Sequence, residues 1–145
     1  MKMEKIEKKI KHLEFIQTNI SRMNQCSFQI KGWMITIVSA LLALFAASID
    51  KETGTGNNVF IFVAIAPTVI FWFLDSYYLQ QERKFIGIYN DIVADLEEEL
   101  IKDFTMPLAN YNGCKYCILH IMFSKTEFPL YLFSIISLII AGLFL

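Results

Sequence analysis

Apolar residues in this chain are gathered into runs rather than spread through one core. The first run, 32–49, and the second, 59–74, contain no charged residue, and a polar turn at 50–58 separates them. The hydrocarbon core of a bilayer is about 30 Å thick and takes about 20 apolar helical residues to cross. Because lipid offers the backbone no hydrogen-bond partner, such runs must be helical. The pattern predicts a transmembrane hairpin, with helices at 32–49 and 59–75.

A third uncharged apolar run closes the chain and predicts a transmembrane helix at 128–145. The aromatic residues add a second membrane signal, since Trp33 opens the first run and Trp72 lies near the end of the second. Tryptophan favours the boundary between lipid and water, so both rings mark the same interface. The fold class expected is therefore an all-α membrane protein with three transmembrane helices.

Both hairpin helices are predicted to continue beyond the membrane as amphipathic helices. Residues 1–31 form the first extension, and the segment 76–127 contains the second extension and a return loop. Each extension is long enough to reach roughly 40 Å from the membrane. Apolar residues recur on both at spacings of three and four, which is typical of helices that cover each other. On the first they are Ile6, Ile10, Leu13, Ile16 or Gln17, Ile20 and Met23. On the second they are Phe85, Tyr89, Ile92, Leu96 and Leu100 or Ile101. We expect a cytoplasmic helical stalk.

The charges predict the orientation. The net charge is only −1, but twelve of the thirteen Lys and Arg residues lie in the N-terminal segment and in 80–127, and the turn at 50–58 has only Lys51. Cytoplasmic segments carry the excess of Lys and Arg. The N-terminus is therefore expected inside and the C-terminus outside.

The transmembrane runs contain few polar groups. Thr36, Ser39 and Thr68 are candidate pore-lining residues, although hydroxyls in helices more often bond to their own backbone. Ser39, Ala43 and Ala47 form a row of small residues that lets a second helix approach closely. That helix is either the second span or a neighbouring subunit. Pro67 removes one hydrogen bond from the second span, as a hinge or a simple bend.

One ionisable pair is predicted at the membrane boundary. Asp75 ends the second span and Lys31 precedes the first, at the matching level. An ionised carboxylate at the edge of the hydrocarbon is costly unless it is paired or wetted. We expect Asp75 to pair with Lys31 or with a base of a neighbouring subunit. The alternative is a carboxylate that reaches headgroup water.

Nothing in the sequence indicates an enzyme or a cofactor, since no nucleophile–base set, phosphate-binding loop or paired catalytic carboxylates are recognisable. Cys114, Cys117 and His120 are candidate metal ligands. Zinc takes about four ligands, and the remaining candidates, Cys26 and His12, lie on the first helix. The interpretation favoured here is that the two cysteines are small buried residues beneath a short apolar segment.

Several short motifs resemble one bacterial family. They are Arg22-Met23, Ser27, Lys31-Gly32-Trp33, Phe71-Trp72, Leu74-Asp75, Tyr77-Tyr78-Leu79, Glu82-Arg83 and Tyr89. They resemble the SLATT-type transmembrane effectors of anti-phage systems, and the chain is similar in size and layout to the membrane component of the Hailong defence system. The resemblance covers roughly residues 15–90. It implies a homo-oligomeric channel, a tetramer, in the bacterial inner membrane that depolarises an infected cell.

The resemblance also implies control by an oligonucleotide or cyclic nucleotide made by a neighbouring nucleotidyltransferase. Basic residues of several subunits brought together would bind such a polyanion through its phosphates. The ligand-binding candidates are Lys5, Lys8, Lys9, Lys11 and Arg22. Alternatively, these residues only satisfy the orientation rule and pair with the acidic stretch Glu97-Glu98-Glu99. The second function considered is a non-conducting membrane scaffold whose stalk binds a protein partner.

Overall fold

The computed structural model describes residues 2–50, 52, 56–94 and 104–144, and all regular structure within them is helical. Four α-helices follow one another: α1 (Lys2–Ala47), α2 (Val59–Ala94), α3 (Ile118–Met122) and α4 (Phe128–Phe144). Two 3₁₀ turns, Leu108–Asn110 and Cys114–Tyr116, lie between α2 and α3. The predicted all-helical class is confirmed for these residues.

The first helix is continuous from the stalk into the first apolar run. It has 46 residues, so it is roughly 70 Å long at 1.5 Å per residue. The one glycine in it, Gly32, leaves the helix unbroken. The second helix has 36 residues and continues through Pro67. Both extensions are therefore parts of the hairpin helices.

The two long helices pack antiparallel along their length. At the apolar end, Phe45 and Met34 of α1 share a buried cluster with Ile61 and Ala64 of α2. At the far end, Ile16 of α1 packs with three buried residues of α2, namely Phe85, Ile88 and Ile92. The predicted stalk seam is confirmed in this region, and Ile16 rather than Gln17 faces the partner helix.

The seam differs from the prediction near the N-terminus. Ile6 and Ile10 are about half exposed, while Leu13, Ile20 and Met23 are partly buried against α2. The seam positions Leu96 and Leu100, and the acidic stretch 97–99, lie outside the described residues.

The apolar halves of α1 and α2 leave most of their side chains uncovered. Each contains a stretch long and apolar enough to cross a membrane, of which only 22% in α1 and 28% in α2 is buried within the chain. The central helix of a soluble protein would be mostly buried. α4 is as apolar but shorter, with 17 residues, and it packs on α2 through Leu138 and Tyr131.

The segment between α2 and α4 folds back onto the stalk part of α2. Gln80 Nε2 donates to the carbonyl of Tyr116 at 2.6 Å, and the Tyr111 hydroxyl donates to Asp91. The rings of Tyr111 and Tyr116 meet edge to face over Gly87, where a Cβ atom would lie 2.6 Å from the Tyr116 hydroxyl and 2.8 Å from the Tyr111 ring. Gly87 is thus a point of close approach between the return loop and α2.

Replacing Gly87 tests this contact. Alanine favours a helix over glycine by roughly 0.5–1 kcal/mol, but here its methyl group would overlap the tyrosine ring, and overpacking costs about 1–3 kcal/mol. We expect Gly87→Ala to lower the free energy of unfolding and to speed proteolysis of the segment 104–127. The exposed Asn90→Ala on the same helix is the control and should be neutral or slightly stabilising. A Gly87→Ala protein as stable as this control would contradict the contact.

Candidate functional site

A buried cluster of charged side chains lies where the apolar run of α1 meets the stalk. Lys31 Nζ is 2.7 Å from Asp75 Oδ2 and 3.0 Å from Glu127 Oε1. Asp75 is fully buried, Glu127 is 3% exposed and the Lys31 side chain is 24% exposed. Lys31 and Asp75, predicted to pair, are therefore in contact within one chain, and a second carboxylate joins them.

Two hydroxyl groups complete the shell of Asp75. Ser27 Oγ donates to Asp75 Oδ1 at 2.5 Å, and the Tyr131 hydroxyl donates to Asp75 Oδ2 at 2.8 Å. Lys31 Nζ also donates to Ser27 Oγ, at 2.8 Å. Both oxygens of Asp75 thus accept hydrogen bonds, as a buried ionised carboxylate requires.

The helices place these groups by simple spacing. Ser27 and Lys31 lie one turn apart on the face of α1 that packs against α2, and residues four apart on a helix share a face. Glu127 directly precedes α4, and Tyr131 follows one turn later. The cluster therefore joins α1, α2 and the start of α4.

An aromatic contact fixes Tyr131 in the cluster. The ring of Trp72 stacks on that of Tyr131, with centroids 5.8 Å apart and planes 13° from parallel. Trp72 Nε1 donates to the carbonyl of Met122 at 3.2 Å, so the same side chain holds the end of α3. Trp72 was predicted to mark the boundary between lipid and water. In the structure its ring packs α4 against α2.

Glu127 is the least satisfied member of the cluster. Its Oε1 contacts Lys31, but its Oε2 is buried without a hydrogen-bond donor. Burial, and then the neighbouring Asp75, raise the pKa of Glu127 to about 7, although Lys31 acts in the opposite direction. The cluster is therefore poised to gain or lose a proton near neutral pH.

The three candidate pore-lining residues lie on different sides. Thr68 is fully buried and donates to its own helix at Ala64, so in this arrangement it lies inside the protomer. Thr36 and Ser39 are exposed, and the Thr36 hydroxyl donates to the carbonyl of Gly32 at 2.9 Å. Only Thr36 and Ser39 are thus available to a neighbouring subunit.

The row of small residues on α1 faces away from α2. Met34, Val38 and Phe45 are buried on the face that meets the other helices. On the opposite side of α1 a row of small residues is exposed, with Trp33 and Leu44 at its margin. The row consists of Gly32, Thr36, Ser39, Ala43 and Ala47. Of the two partners considered for this row, the second span is therefore wrong.

The candidate ligand-binding residues lie along α1. Lys8 pairs with Glu4 at 3.1 Å and Lys11 with Glu7 at 3.0 Å, and all four side chains are more than half exposed. Arg22 is exposed and Lys9 is partly exposed, while the side chain of Lys5 lies outside the described part. The structure does not gather the other four into one site within a chain.

The predicted burial of the two loop cysteines is wrong. Cys114 and Cys117 are both exposed, and so is His120. The 3₁₀ turn that carries the cysteines directs Tyr116 toward Gly87 of α2 and leaves them outside. Within the described residues, no three His, Cys, Asp or Glu side chains are placed to hold a metal ion.

Sequence reasoning identified the pair but missed Ser27, Glu127 and Tyr131 as its partners. A signal for Glu127 exists, since it directly precedes the third apolar run as Lys31 precedes the first. Tyr131 follows Glu127 by four residues, as Lys31 follows Ser27, and that spacing puts each pair on one helical face.

No family model, curated protein or solved structure matches the chain. Function must therefore be argued from the residues themselves.

Proposed function

We propose that this chain crosses a bacterial inner membrane three times and assembles into a homo-oligomeric ion channel. The observation that carries the proposal is the small-residue face of α1, which is exposed along the whole apolar part of the helix. The N-terminus and stalk lie in the cytoplasm and the C-terminus outside, in accordance with the distribution of Lys and Arg.

The uncovered apolar side chains support membrane insertion. Large residues on all three apolar helices are highly exposed, among them Phe62 at 72%, Phe133 at 71% and Leu143 at 75%. In water, such an extensive apolar surface would promote association. The hydrocarbon core of a bilayer accommodates apolar side chains of this kind. The 17 residues of α4 span about 26 Å, close to the thickness of the hydrocarbon core.

The small-residue face supports self-association in the membrane. Lipid tails are as apolar as leucine, so helices there associate mainly through close packing and hydrogen bonds. Small residues in a row let backbones approach closely, and the face of α1 offers Gly32, Ser39, Ala43 and Ala47 without a large side chain among them. Because α2 occupies the other side of α1, a second copy is the partner that suits this face.

The same face supports conduction. It carries the two exposed hydroxyl residues in the apolar part of α1, Thr36 and Ser39. Copies of α1 arranged around an axis would direct these hydroxyls toward the centre, and the larger apolar residues toward lipid. One chain has no such path, so conduction requires an oligomer. A tetramer is the number that the resemblance to SLATT-type effectors implies.

Regulation by an anionic nucleotide ligand is part of the proposal, on that resemblance. In an oligomer the exposed Arg22 and the half-exposed Lys8 and Lys11 would recur around the stalk. The pairing of Lys8 and Lys11 with glutamates weakens the positive field of one chain but leaves both lysine side chains accessible. Binding of this kind falls steeply as salt concentration rises.

The proposal is tested by ion flux from liposomes that contain the purified protein, with and without short oligonucleotides. We expect a flux that the oligonucleotide changes. Ser39→Leu should abolish flux and oligomer together, because a large side chain would separate the α1 helices. Ile37→Leu, at an exposed position outside the small-residue face, is the matched control and should behave as wild type.

Three outcomes would redirect the proposal. An oligomer without flux under either condition would favour a scaffold whose stalk binds a protein. A flux indifferent to oligonucleotide would retain the channel and remove that ligand. A Ser39→Leu protein that still assembles would place the oligomer interface elsewhere.

A further inference from the structure

Two acidic side chains compete for one lysine in the buried cluster. Asp75 and Glu127 both contact the same atom, Lys31 Nζ, at 2.7 and 3.0 Å. The two carboxyl groups are therefore neighbours, and they are close enough to hydrogen-bond each other if one of them carries a proton. Two carboxylates that share one site cannot both ionise freely.

The positive and negative charges of this cluster do not balance. One ammonium group faces two carboxylates, so the fully ionised cluster has a net charge of −1. The other partners, Ser27 of α1 and Tyr131 of α4, are neutral hydroxyl groups. A net charge in a buried site is costly, and a single bound cation removes it.

The hydrogen bonds indicate where that cation binds. Asp75 accepts from Ser27, Lys31 and Tyr131 and so is well stabilised as an ion. Among the described residues, Glu127 accepts only from Lys31, and its buried Oε2 has no donor. Protonation of Glu127 would turn its carboxyl group into a hydrogen-bond donor next to Asp75.

We propose that Asp75 and Glu127 form a proton-binding site that holds one shared proton, with Glu127 as the proton's carrier and Asp75 as the acceptor. The bound proton makes the cluster neutral and joins the start of α4 to α1 and α2. Loss of the proton leaves two carboxylates on one lysine, and their repulsion weakens that junction. The site would therefore couple proton concentration to the packing of α4, whether or not the oligomer conducts ions.

The raised pKa of Glu127, about 7, supports this site because it sets proton release near neutral pH. The charged and titratable groups that face Glu127 are Lys31 of α1, Asp75 of α2 and Tyr131 of α4. Lys31 favours release of the proton from Glu127, whereas burial and Asp75 favour its retention.

The experiment is an infrared pH titration of the full-length protein in lipid, following the carbonyl stretch of protonated carboxyl groups. Wild type should show one such group that loses its proton with a midpoint near 7. Glu127→Gln should remove this signal, and Asp75→Asn should move its midpoint to lower pH, because the repelling charge is gone. Glu14→Gln, at an exposed position of α1, is the control and should leave it unchanged.

A fourth variant keeps the test decisive if Glu127→Gln or Asp75→Asn folds poorly. Ser27→Ala removes one donor to Asp75, so the pair should hold its proton more tightly and the midpoint should rise. The proposal is overturned if wild type has no group that titrates near neutral pH, or if the signal survives Glu127→Gln. It is also overturned if replacing K⁺ by Na⁺ at constant pH displaces the signal, since the site would then be a metal cation site.

Discussion

Lys31→Met is expected to destabilise the protein more than the loss of any surface charge. The substitution leaves Asp75 and Glu127, both nearly inaccessible, facing each other without a counter-ion. Removing one partner of a buried ion pair typically costs about 3–5 kcal/mol, because the remaining charge is uncompensated. The free energy of unfolding can be measured by raising the fraction of SDS in mixed micelles while following tryptophan fluorescence. Trp72, stacked on Tyr131 beside the cluster, reports on this region.

Two further variants separate this explanation from a loss of packing. Lys8→Met breaks an ion pair whose side chains are both more than half exposed, so it should cost no more than about 1 kcal/mol. Adding Asp75→Asn to Lys31→Met should recover part of the lost stability, since the unpaired charge is then gone. If the double variant is less stable than Lys31→Met, the charge explanation fails.

The long helices could be predicted because their signals are local. α1 has no proline and no glycine before Gly32, and the absence of charge from 32–49 and from 59–74 defines the hairpin. The stalk seam at Phe85 and Ile92 was predicted from spacing alone. The exposure of Ile6 and Ile10 could not be predicted in this way. Spacing places a residue on a helix face but does not show how far the partner helix covers that face.

The site was only half predictable, for a physical reason. Lys31 and Asp75 lie at matching levels of a hairpin whose two arms must be neighbours, so their contact follows from topology. Glu127 directly precedes α4, and its position depends on how the return loop packs and on the stacking of Trp72 with Tyr131. Those contacts are distant in sequence and leave no periodic pattern.

The direction of the small-residue face was also beyond sequence reasoning. Ser39, Ala43 and Ala47 form a row that fits either an intramolecular or an intermolecular helix equally well. The opposite face of α1 decides between these two partners, because its residues Met34, Val38 and Phe45 pack against α2 and α4. A uniformly apolar helix has no polar face to show which side is internal.

Glu127→Gln is expected to make the protein more stable than wild type at alkaline pH but not at acidic pH. The pKa of Glu127 is raised from 4.5 in the unfolded chain to about 7 in the folded protein. Between these values the folded state binds more protons than the unfolded state, so wild-type stability falls as pH rises. A shift of this size corresponds to roughly 2–4 kcal/mol. Glutamine is uncharged at every pH and offers an N–H to Asp75, so it removes this dependence.

The measurement is the difference in unfolding free energy between Glu127→Gln and wild type across this range. The difference should be smallest below pH 4.5, grow as pH rises and level off above about 7. Taking a difference cancels the titrating groups that do not contact Glu127, because both proteins share them. Glu14→Gln should give a flat difference, because its side chain is exposed on α1. A flat difference for Glu127→Gln as well would mean that the pKa of Glu127 is the same in the folded and the unfolded protein.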